Sequence, residues 1–317
     1  MRTLPALVLL AACSGAGAGG TAGGSAGGGT AGGGDTAGGS AGGSTAGGGS
    51  TAGGGSTAGG GSTAGGGSTS SPDGGTAAAW IRANLTGAQL RTGSFTSRTT
   101  IETPAIVHDA TASNAKYAFD LRETVMPVDP RAGFINVRIS NLVSADAFGG
   151  GIQTASANNA TLFMSNVTVE PNWPNWVSYA ATNYDGLVLD NSAAIYAEDL
   201  TIRNWNADGA IDNKAPISQF VRLRIEGRGN RGIRYWEPGP HYLVLSSLEN
   251  TGGLGEGSLL WFQNCTGAEV RIWQSTFNGS ATVPANKVSC DNGSNPQLVY
   301  LTVDPRTTGE LHPMFAP

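Results

Sequence analysis

Asp185-Gly-Leu-Val-Leu, Asp208-Gly-Ala-Ile-Asp, Arg231-Gly-Ile-Arg-Tyr-Trp and Glu256-Gly-Ser-Leu-Leu-Trp-Phe are the segments whose spacing decides the fold. Each opens with a charged residue and a glycine, then runs into a β-type stretch, at intervals of 23, 23 and 25 residues. A period in the twenties marks a stacked repeat. A second set of short stretches, apolar at alternate positions, recurs as Val137/Ile139, Leu162/Met164, Ile195/Ala197, Val221/Leu223, Leu243/Leu245, Val270/Ile272 and Val299/Leu301. Alternation over so few residues predicts strands with one buried face. Each repeat therefore holds at least two strands, with corners at Asn141, Asn166, Asn250 and Asn278, since Asn tolerates left-handed backbone angles at low cost. Long amphipathic runs are missing and Asn, Gly, Asp and Thr interrupt every segment, which excludes a helical repeat.

Outward from the repeat, the 317-residue chain divides by composition. Of its 50 glycines, 30 fall between Ser14 and Gly75, in Gly-Gly-Gly-Ser-Thr-Ala cycles without an aromatic or large aliphatic residue. Such a stretch cannot bury enough surface to offset ordering its backbone, and 14–75 is read as a disordered linker. Thr76 to Pro317 keeps 20 glycines in 242 residues, an ordinary share for one folded unit. Residues 76–132 are expected to form an N-terminal cap and a first irregular coil, 133–304 the repeat, and 305–317 a tail. Thr76-Ala-Ala-Ala-Trp-Ile-Arg-Ala-Asn-Leu predicts a short helix, with Trp80, Ile81 and Leu85 on its apolar side, that closes the open end of the first coil.

The folded part carries 17 basic and 21 acidic residues. That balance argues against nucleic acid, which is bound through a basic surface. No apolar run approaches the roughly 20 residues needed to span a membrane. Residues 1–13 read as an export signal, and Leu10-Ala11-Ala12-Cys13 resembles the lipobox of bacterial lipoproteins. That resemblance implies a lipidated Cys13, a membrane contact through the anchor only, and a place in the bacterial cell envelope.

Between Gly133 and Asp304 the repeat resembles the right-handed parallel β-helix of pectate-lyase-like proteins, an all-β solenoid. Aligning the glycines of the four segments puts Asp185, Asp208, Arg231 and Glu256 in one column, with rungs about 4.8 Å apart. Aligning Ile211, Ile233, Leu259 and Val288 as buried positions puts Asp212, Arg234, Leu260 and Ser289 in a second, outward column, with Lys214, Trp236 and Phe262 nearby. In the polysaccharide lyases of this fold, acidic residues on adjacent coils hold calcium against a uronate carboxylate, and an Arg or Lys removes the proton at C5. The resemblance thus implies Asp185, Asp208 and Asp212 as Ca2+ ligands, Arg234 or Lys214 as the base, and Trp236, Arg231 and Glu256 as polysaccharide contacts. An Arg base requires a field that lowers a pKa ordinarily above 12.

A surface ladder of ion pairs, Asp212 with Arg234 and Asp208 with Arg231, accounts for the same column without chemistry. Three functions therefore stand: a lyase or hydrolase of acidic polysaccharide, a non-catalytic glycan-binding or adhesive module, and a structural surface stalk. Trp173 and Trp176 lie in a long segment that either overhangs the groove or is pinned by its own aromatics. His241, in Gly-Pro-His, reads as a corner residue, and the three histidines show no zinc spacing. Cys265 and Cys290, one coil apart, form either a disulfide or two buried apolar side chains.

Overall fold

A computed structural model describes residues 75–113, 116–121, 130–144, 146–154 and 159–317. The signal, Cys13 and the Gly-rich linker to residue 74 lie outside the described residues. No described helix is long and apolar enough to cross a membrane.

Among the described residues the strands form a twelve-stranded and an eight-stranded sheet, and every pairing between strands is parallel. The eight-stranded sheet orders Thr99–Ile101, Tyr117–Leu121, Phe148–Thr154, Asn183–Leu189, Gly209–Asn213, Arg231–Tyr235, Ser258–Asn264 and Val288–Asn292 side by side. Between any two of them the chain passes through the twelve-stranded sheet. Successive passes therefore stack in chain order, an all-β arrangement compatible with a β-helix, and one continuous apolar core runs from Ile101 to Val283.

The twelve-stranded sheet is folded along a line by single residues in the left-handed region. Asp109, Asn136, Asn166, Asp199, Arg222, Leu245 and Gln274 occupy equivalent positions in successive passes, with φ between 44° and 56°. Asn and Asp head this column because their short polar side chains tolerate the conformation. The Asn166 amide donates to Asn136 (2.9 Å), and Asn136 to Asp109 (3.0 Å), so the corner is also a side-chain ladder. Asn141, Asn166 and Asn278 turn corners as expected. Asn250 instead is buried and uses its amide to donate to the Gly229 carbonyl at 3.0 Å.

The alternating pattern holds for Val137/Ile139, Leu162/Met164, Ile195/Ala197 and Val270/Ile272, whereas Val221 and Leu245 face an outward cluster separate from the core, and the stacking register also slips. Val137 and Ile139 pair with Val167 and Val169, whereas Leu162 and Met164 pair with Ala132 and Phe134 on the other side of the bend. Leu298 and Tyr300, not Val299, stand opposite Val270 and Ile272. A one-residue slip exchanges the faces of a strand, and a bend that consumes one residue produces such a slip.

The N-terminal helix, Gly75–Asn84, forms, but it lies on the outward side of the twelve-stranded sheet. Its Ala77, Ala78 and Ile81 pack with Ile106, Ile135 and Phe163 and with the C-terminal Leu311, Met314 and Phe315, in a cluster separate from the core. Gly133 makes room for it: a Cβ there would fall 2.6 Å from Ile81 Cγ2. Cys265 and Cys290 are joined in a disulfide, with Cα atoms 5.7 Å apart.

Candidate functional site

Strands of the eight-stranded sheet that bend within their length can turn two consecutive residues inward, as Ala118 and Phe119 show. Ala210 and Ile211 both enter the core, as do Leu259 and Leu260. Ile211 stands opposite Ile233, and Ile233 opposite Leu260 rather than Leu259. The outward column is consequently Val188, Asp212, Arg234, Trp261 and Ser289. Leu260 and Phe262 are core residues, and the missed member is Trp261. The glycine alignment also shifts: Gly209 is opposite Asp185 on one side and Arg231 on the other, so Asp208 and Glu256 lie off that column.

The shift brings the expected acids together around one cation. Arg234, with only 3 % of its side chain exposed, places Nη1 2.8 Å from Asp208 Oδ2 and 3.5 Å from Asp185 Oδ1, and Nε 3.6 Å from Asp212 Oδ1. Its guanidinium lies 5.4 Å from the Trp236 ring centroid and 5.5 Å from that of Trp261. Asp208 is wholly buried, and its second oxygen accepts from the Asn230 amide at 2.7 Å. Asp212 accepts from the Trp236 indole N–H at 2.5 Å and lies 3.3 Å from Lys214, which also pairs with Asp190. Arg231 does not reach Asp208; it bonds Glu256 and covers Trp261 at 4.7 Å. Cations and indoles thus alternate as Lys214, Trp236, Arg234, Trp261 and Arg231, contacts that gain strength where water is excluded.

The electrostatics of this cluster are unequal. Burial opposes the charge of Arg234, yet Asp212, Asp185 and Asp208 outweigh it and raise its pKa above the ordinary arginine value. Burial likewise opposes the charge of Lys214, and Asp212 and Asp190 reverse the balance, raising it too. Both groups are held as cations, the sense opposite to that needed for proton abstraction. Asp185 moves the other way: burial raises its pKa well above the usual carboxylate value, Arg234 opposes this, and Asp212 and Asp208 reinforce it. Gly209 provides the space for this carboxyl, since a Cβ there would lie 2.5 Å from Asp185 Oδ1.

Calcium fits this arrangement poorly. The guanidinium already occupies the point shared by the three carboxyls, and both oxygens of Asp208 are engaged by Asn230 and Arg234. An ion held by all three would have to displace a buried cation.

Asp185 and Asp212 form part of the wall of a pocket of about 230 Å³, with Asp190, Lys214, Gln153 and Asn183. Phe148 and Tyr179, 43 % and 55 % exposed, meet edge to face at its rim. Tyr179 comes from the segment holding Trp173 and Trp176. Trp173 stacks on Tyr184 at 5.3 Å, and the Trp176 N–H donates to the Asn206 carbonyl at 2.7 Å. The segment is therefore pinned by its aromatics and backbone while its far end reaches the pocket. Asn183 lies on the same strand as Asp185, Asp190 directly follows that strand and Tyr179 precedes it, but none falls in the aligned segments, so the alignment did not single them out.

His241 is not a corner residue. It is fully buried and stacks on Tyr235 at 4.2 Å. Its Nε2–H donates to the Glu237 carbonyl (2.9 Å), and Nδ1 accepts from the Ser218 hydroxyl (2.8 Å). Burial lowers its pKa to about 4, so the imidazole is neutral. A second, larger and more open groove of about 930 Å³ follows the corner at Glu170, Asn204, Glu226 and Glu249.

No family model matches the chain, and neither curated proteins nor solved structures include one detectably similar to it.

Proposed function

We propose that this is a surface-tethered, carbohydrate-active protein whose site is the pocket at Asp185 and Asp212, working by acid-assisted hydrolysis of a glycosidic bond. The observation that carries the reading is the environment of Asp185. A carboxyl whose pKa burial raises, at the wall of an aromatic-rimmed pocket, suits donation of a proton to a leaving oxygen. Asp212, anchored by Trp236 and flanked by Lys214, is the second carboxyl that glycoside hydrolysis requires. Phe148 and Tyr179 offer apolar faces for a sugar ring. Elimination with Arg234 or Lys214 as base is the weaker chemistry, since both are held as cations.

The scaffold belongs to this proposal as a right-handed parallel β-helix of the pectate-lyase-like kind. Parallel crossovers between strands of one sheet are right-handed in nearly all proteins, which supports that hand for the parallel connections of the eight-stranded sheet. The lipid anchor at Cys13 and the tether complete the reading of a domain held off a bacterial envelope.

The test uses the full chain with a panel of neutral, amino and acidic polysaccharides, scoring new reducing ends and ultraviolet-absorbing unsaturated ends. Release of reducing ends that Asp185→Asn abolishes, with the melting curve preserved, is the expected result. Unsaturated ends would replace hydrolysis by elimination. Retention on a glycan without new ends, lost in Trp236→Ala, would make the pocket a binding module, and binding to no glycan would leave the structural stalk.

A further inference from the structure

The charge and hydrogen-bonding of the pocket restrict what can occupy it, an argument that rests on the carbohydrate reading above. The charged residues lining it are Asp185, Asp190, Asp212 and Lys214. Lys214 is already committed to Asp190 and, at 3.3 Å, to Asp212. Arg234 lies behind the wall, bonded to Asp208 at 2.8 Å. An entering carboxylate or sulfate would meet acids and no cation free to receive it.

The unpaired polar atoms point the same way. Asn183 Oδ1 and Gln153 Oε1 are buried and accept no hydrogen bond among the described residues, whereas Asp185 Oδ1 faces the Arg234 guanidinium at 3.5 Å. Both belong to residues lining this pocket, and both are acceptors. Buried acceptors without donors cost stability until something supplies the donors. An ammonium brings three donors and a positive charge.

We propose that the pocket selects an amino sugar, a hexosamine unit with a free amine, takes its neutral N-acylated counterpart more weakly, and excludes uronates. The amine lies against Asp212 and the oxygens of Asn183 and Gln153, while Phe148 and Tyr179 contact the ring.

Binding of three oligosaccharides of equal length to the full chain is measured by calorimetry at pH 6: a deacetylated hexosamine oligomer, its N-acetylated form and an oligouronate. The expected order is the free amine about tenfold tighter than the acetylated form, the strength of one moderately screened charge contact, with no detectable uronate binding. Asp212→Asn should reduce the free amine to the level of the acetylated form. Lys214→Met provides a second variant that adds no buried charge, and removal of the competing cation should tighten amine binding without admitting uronate. Equal affinity for amine and acetylated forms, uronate binding as tight as either, or uronate uptake in Lys214→Met would overturn the selectivity while leaving the carbohydrate reading in place. Binding to none of the three overturns the carbohydrate reading itself.

Discussion

Gly209→Ala tests whether the Asp185 carboxyl is held where the pocket needs it. The added Cβ would lie 2.5 Å from Asp185 Oδ1 and 3.2 Å from Arg234 Cδ. Neither side chain can swing away into solvent, since their exposures are 4 % and 3 %. Forcing a methyl group into a filled site costs about 1–3 kcal/mol. Gly209 is not in the left-handed region, so alanine adopts its backbone without strain and recovers about 0.4–1 kcal/mol by restricting the unfolded chain. The net loss is about 1–2 kcal/mol, a fall in Tm of roughly 2–8 °C for a domain of this size. Urea denaturation should show a lower midpoint with an unchanged slope. Gly253→Ala, where an added Cβ meets nothing within 4 Å, should be neutral or slightly stabilising. In an Asp185→Ala background the penalty of Gly209→Ala should shrink, because the clashing oxygen is gone. Additive effects in that double mutant, or a Gly209→Ala protein as stable as the wild type, would refute the placement of Asp185.

Arg234→Ala leaves three buried acids around an empty centre and should cost about 3–5 kcal/mol, and Arg234→Lys should restore little of it because an ammonium cannot bond in a planar fork. A loss below about 1 kcal/mol would instead describe an exposed ladder. His241 has a folded pKa of about 4 against 6.5 when exposed. Its contribution is present above pH 6.5 and lost as pH falls toward 4, since the unfolded state takes up the proton first. Between pH 7 and 5 that loss is about 2 kcal/mol. Asp185 acts with the opposite sign, favouring the folded state as pH falls, so the comparison is wild type against His241→Gln. Stability profiles that run parallel over this window would exclude a buried neutral imidazole.

Much of the architecture was legible in the chain before folding. The charged-residue-glycine segments and the alternating doublets specify parallel strands recurring once per pass, because local patterning and turn chemistry are short-range properties. The same segments also marked Asp185, Asp208, Asp212, Lys214, Arg234 and Trp236 as neighbours, and all six meet. Register was not legible. Ala210-Ile211 and Leu259-Leu260 each turn two successive residues inward, and a period of two cannot reveal where a strand bends. That single ambiguity hid Trp261 and placed Arg231 beside Asp208 when its partner is Glu256. The helix at Gly75–Asn84 was recognisable as a helix, yet its docking against Ile106, Ile135 and Phe163 depends on an outward apolar patch assembled from three separate passes. Burial decided the rest. Sequence shows a carboxyl at Asp185, but its raised pKa follows from the desolvation imposed by strands packed on every side, a property of the assembled structure.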